Sequence, residues 1–79
     1  MGEDRIKPIS RQAYERFLLE IGCVCRRTKG DHLVYIRSGL TRPVIITAKR
    51  EVAPFIIRSN LKTLGISVDE YLAIIRGLK

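Results

Sequence analysis

The sequence predicts a small α+β domain of two layers, with helices on one face of a three-stranded antiparallel sheet and the other face open. Three observations predict it. Apolar residues recur at helical spacing up to Gly22, the period becomes that of strands from Cys23, and helical spacing returns at Pro54. The order of elements is therefore α-β-β-β-α-α. With 79 residues, 26 of them Ile, Leu, Val or Phe, the chain makes one domain with enough apolar mass for a core without staples. A domain this size should place any active site in a surface groove.

Residues 1–8 are polar and end at Pro8, so they read as a flexible arm before a single domain over 9–79. Ser10 suits an N-cap, and Ala13, Phe17, Leu18 and Ile21 give a helical stripe that stops at Gly22. Residues 23–28 and 32–37 then read as strands joined by the turn Lys29-Gly30-Asp31, where Gly30 permits positive φ. Gly39 and Pro43 mark a second turn before the β-branched strand 44–47. Pro54 fits the first turn of a helix whose core-facing residues are Phe55, Ile57, Leu61 and Leu64, ending at Gly65. Ser67 and Glu70 form a capping-box pattern that opens a last helix over Tyr71, Leu72, Ile74 and Ile75.

Cys23 and Cys25 lie two apart, so a strand puts both on one face, where a mutual disulfide would be strained. Both are expected to be buried as small apolar groups. Two cysteines and one histidine cannot supply four structural zinc ligands of those types, so no metal is predicted. No small-molecule cofactor is expected either. No apolar run is long enough to span a bilayer and no secretory leader is visible, which leaves the cytoplasm as the expected location and no membrane as partner.

Charge is the strongest functional signal. Residues 26–50 hold seven basic side chains against one acid, Asp31, and so carry +6 of the total +7. Such concentration suits a polyanion, which makes RNA or DNA the first partner to consider. The only histidine, His32, ends the basic turn. If Leu33 and Tyr35 face the helices, His32, Val34 and Ile36 face the open side, and the Val-Ile pair there points to a protein partner. The opposite assignment, with Val34 and Ile36 as core, stands beside it because this strand is apolar on both faces. Arg26, Arg37, Arg42 and Arg58 read singly as solvated surface charges, and Tyr14, Phe17, Tyr35, Phe55 and Tyr71 as core rather than base-stacking residues.

Gly22, Arg27, Lys29-Gly30 and His32, then Leu61-Lys62-Thr63-Leu64-Gly65-Ile66-Ser67 before Glu70-Tyr71-Leu72, resemble the HicA toxin family, also called YcfA-like, over about residues 9–75. The resemblance implies a fold like a double-stranded-RNA-binding domain and a metal-independent endoribonuclease that cleaves mRNA. It implies a HicB-like protein antitoxin as partner and His32 as the catalytic group. Arg27, Lys29, Gly30 and Lys49 are the expected RNA-binding residues. Two positions depart from the family pattern. Asp31 puts a carboxylate where the family usually has a neutral Ser hydroxyl, a change that can oppose a phosphate or support a charged His32, and Thr47-Ala48-Lys49 stands where the family often has a Pro-His pair, so a second imidazole is absent. A non-catalytic RNA-binding module and a protein-interaction domain are the alternative readings.

Overall fold

The computed structural model describes residues 5–78. In chain order the elements are β1 (Ile9–Ser10), α1 (Arg11–Glu20), β2 (Val24–Lys29), β3 (His32–Ile36), β4 (Val44–Thr47), β5 (Glu51–Val52), α2 (Pro54–Leu64) and α3 (Val68–Gly77). Strands β2, β3 and β4 form the expected antiparallel sheet with β3 at its centre. Two strands were not foreseen: β1 pairs with β5, Ile9 opposite Val52 and Ser10 opposite Glu51. Two residues per strand are too few to show a period in sequence. Their effect is to fasten the start of α1 beside the chain that enters α2.

Local chemistry sets the helix ends. The Ser10 hydroxyl accepts from the Ala13 amide at 3.1 Å, and the Ser67–Glu70 capping box is complete, with the Glu70 amide donating to Ser67 Oγ at 3.1 Å. Gly22 takes φ 95° and lets the chain leave α1 sharply, its amide and that of Cys23 donating back to Leu19 and Leu18. The core lies between the helices and one sheet face. Tyr14, Phe17, Leu18, Ile57, Leu61, Leu64 and Tyr71 come from the helices, and Tyr35, Val44 and Ile46 from the sheet. Phe17 meets Tyr71 edge to face with ring centroids 4.9 Å apart. The buried amide of Asn60 donates to the Tyr14 hydroxyl at 3.1 Å, which gives both enclosed groups a partner.

Two sequence expectations need correcting here. Phe55 is 66% exposed, because the core side of α2 is set by Ile57, Leu61 and Leu64, and a residue two before Ile57 points the opposite way. Cys25 is exposed while Cys23 is buried. Cys23 precedes the strand and packs over the end of α1, whereas Cys25 lies on β2, an outer strand whose every residue is exposed. Burial pushes the Cys23 thiol pKa up. The expected arm over 1–8 lies partly outside the described residues; within its described part Ile6 is in the core and Arg5 pairs with Asp69. Among the described residues no helix is long and apolar enough to cross a membrane.

Candidate functional site

Two backbone irregularities build the site. Lys29 and His32 are Cα partners across a two-residue loop, with Gly30 at its first position at φ 60°, the arrangement of a type II′ hairpin. A β-bulge then shifts the register between Cys25 and Arg27. Cys25 pairs with Tyr35, on the helix-facing side, and strict alternation from there would turn Arg27 and Lys29 to the same side. The extra residue, Arg26, reverses the alternation, so Arg27 pairs with Val34 and Lys29 with His32 on the open face.

Arg27, Lys29, Gly30, Asp31, His32, Val34 and Ile45 line one shallow cavity of about 530 Å³ on that face. His32 Nδ1 lies 3.4 Å from Asp31 Oδ1, and both side chains are more than half exposed. The hairpin tip is held from the other edge by the Ala48 amide, which donates to the Asp31 carbonyl at 2.7 Å. Across β3, His32 faces Thr47 and Val34 faces Ile45. Leu33 and Tyr35 pack with the core cluster while Val34, Ile36 and Ile45 stay outside it, so of the two assignments left open by the sequence the strand takes the one with His32, Val34 and Ile36 on the open side.

The structure gathers Arg27, Lys29, Gly30 and His32 together and leaves Lys49 apart. Lys49 is exposed in the bend after β4 and does not line the cavity. Arg37, read from sequence as a solvated charge, is part-buried and donates to the carbonyls of Ile21 and Leu64, each at 3.2 Å. It thereby places a cation at the C-terminal ends of α1 and α2, and α1 has no basic residue of its own in its last turn. The +6 segment is thus divided between the cavity and the scaffold. Ile45 was missed as a site residue, although alternation along 44–47 separates it from buried Val44 and Ile46.

A larger cleft of about 770 Å³ lies on the helical side, lined by residues of the N-terminal stretch, α1 and α3 that include Arg5, Lys7, Ala13, Arg16, Leu72 and Arg76. None of the site residues expected from sequence reaches it. Among the described residues, no three His, Cys, Asp or Glu side chains cluster as metal ligands.

A basic hairpin that presents one imidazole beside two cations on the open sheet face of a small α+β domain can hold an anionic group. Residues 12–66 match the family described as the HicA toxin of bacterial toxin-antitoxin, a span that runs from α1 through the end of α2 and contains the whole cavity. The chain belongs to the HicA toxin family. No curated protein and no solved structure matches it.

Proposed function

We propose that this toxin is a metal-independent endoribonuclease that cleaves mRNA in the cytoplasm, with His32 moving the proton at the reacting phosphate. The observation that carries this reading is the convergence of Arg27, Lys29, Gly30 and His32 in one cavity, achieved by a bulge that turns the two cations toward the imidazole. Cleavage through the ribose 2′-OH needs a group to take that proton, a group to protonate the leaving 5′-oxygen, and cations to offset charge on the transition state. His32 takes one proton-transfer step; Lys29 and Arg27 hold the phosphate, and Gly30 lets the backbone approach it without a side chain between. Lys49, outside the cavity, contacts the strand further along. Metal independence rests on the donor set: one imidazole and one carboxylate, Asp31, beside two cations offer a metal ion too few ligands.

A HicB-like antitoxin neutralises the toxin by covering the same open face, where Val24 and Ile45 leave apolar surface exposed beside the charges. The test is incubation of the purified protein with single-stranded RNA in chelator. Cleavage that leaves a 2′,3′-cyclic phosphate is the expected result. Activity that appears only when a divalent ion is restored would refute the proposed chemistry.

A further inference from the structure

The cavity beside His32 is made of two chemically different rows, and proton transfer uses only one of them. Partners across the sheet run Lys29–His32–Thr47 in the first row and Arg27–Val34–Ile45 in the second. Rows on one face of a sheet lie about 7 Å apart along the strands. Within the cavity the first row offers an ammonium and an imidazole, with Thr47 paired to His32 across the sheet but outside the lining. The second is a β-branched apolar floor with a guanidinium at its edge. Val34 and Ile45 line the same cavity as His32, lie outside the core cluster, and Ile45 is 46% exposed. Neither can move a proton or offset phosphate charge.

We propose that Val34 and Ile45 form a nucleobase subsite, which takes the base of one unstacked, single-stranded nucleotide whose phosphate lies at Lys29 and His32. This rests on the reading of the His32 cavity as the RNA-cleaving site. A nucleotide has the polarity the two rows require: a flat base with apolar faces, joined through ribose to an anionic phosphate. The cavity, about 530 Å³, lies within the range of roughly 300–1,000 Å³ typical of small-ligand sites. Arg27, at the edge of the apolar row and two residues from Lys29 on the same strand face, sets that floor beside the cations that hold the phosphate. A base inside an A-form duplex is stacked and cannot lie on this floor, whereas an unpaired one can be splayed onto it. Tyr14, Phe17, Tyr35 and Tyr71 are buried, so aromatic stacking at this face is not on offer and aliphatic packing does the holding. Such packing reads the presence of a base more than its identity.

The test compares a short single-stranded RNA, its duplex, and the same strand with one abasic ribonucleotide moved through the cleaved step. Wild-type protein is expected to lose about 10-fold in kcat/KM on the duplex and on the strand abasic at the bound position, the scale of one stacked base. A Val34→Thr/Ile45→Thr variant keeps β-branching in both strands and should lose about the same on intact RNA, through KM with kcat retained, and lose nothing further on the abasic strand. Wild-type indifference to both base loss and pairing overturns the subsite without any variant, as does wild-type kcat/KM in the double variant. If the wild type cuts none of these RNAs, the cleavage reading fails, and equilibrium binding of the labelled strands still decides the subsite. Binding that depends on the base and weakens in the variant supports it; base-independent binding overturns it.

Discussion

Alternate residues of β3 serve opposite sides of the molecule, and the two sides treat polar groups differently. On the helix side the polar groups are matched: the Tyr35 hydroxyl donates to Glu15, Asn60 donates to Tyr14, and Arg37 spans two helix-end carbonyls. On the open side the side chains of Arg27 and Lys29 make no hydrogen bond or ion pair among the described residues, and His32 has only the Asp31 carboxylate beside it. Matched polar groups specify a structure, while unmatched cations next to an imidazole are left for a partner. Function and stability should therefore separate by face.

The largest expected effect is on the open face. His32→Ala should lower RNA cleavage by about 10²–10⁴ in rate, the usual worth of a general acid or base. Its free energy of unfolding should stay within about 0.5 kcal/mol of wild type, because the side chain is more than half exposed. A folded variant that cuts at the wild-type rate breaks the division. Next is its counterpart on the helix side: Phe17→Ala removes a fully buried ring that touches both Tyr14 and Tyr71, at a cost of about 3–5 kcal/mol. For a domain this small that is much of the total stability, and denaturant unfolding would show it.

A middle-sized effect sits at the Tyr35–Glu15 contact, the polar link between the sheet and α1. Tyr35→Phe leaves the Glu15 carboxylate without that donor, with Arg11 Nε 3.0 Å away as its remaining neighbour, and should cost about 1–3 kcal/mol. The same layer predicts alkaline sensitivity. Burial raises the pKa of all three tyrosines, that of Tyr71 to about 12 from 10.0. The folded state then keeps phenol protons that the unfolded chain has lost, so this stability is complete below about pH 10 and falls as pH rises toward 12 and beyond. Phenolate absorbance that rises at ordinary tyrosine pH in the folded protein would contradict this packing.

The helix side was the more legible in sequence, for physical reasons. Helix stripes, the Ser10 and Ser67 caps, and the turns at Gly22, Gly30 and Gly65 are local signals, and the structure has them where the sequence puts them. His32, Arg27, Lys29 and Gly30 were legible as a group, but not the reason they converge. The run Val24-Cys25-Arg26-Arg27-Thr28-Lys29 has no apolar-polar phase from which a bulge could be read, and a single inserted residue exchanges the faces of everything after it. Arg37 looked like Lys29 in sequence because charge is local, whereas its two carbonyl partners come from the ends of helices 16 and 27 residues away. Phe55 looked like core because it is a large apolar residue in the same short run as Ile57, although two helical positions turn it to the opposite side.

The finest division falls within the basic segment itself. Lys29 lies on the open face with no partner among the described residues, so if RNA binds there, Lys29→Ala should weaken affinity nearly uniformly across sequences and reduce the slope of log affinity against log salt by about one. Arg37→Met keeps much of the aliphatic stem but removes the two helix-end hydrogen bonds, so it should lower stability by about 1–3 kcal/mol. The salt slope should not change, because the lost charge faces the scaffold and releases no counterions from RNA. Paired salt titrations of the two folded variants measure this directly. Equal slope changes would mean that RNA senses the segment's summed charge, and the bulge at Arg26 would lose its significance as the device that selects which cations face the substrate.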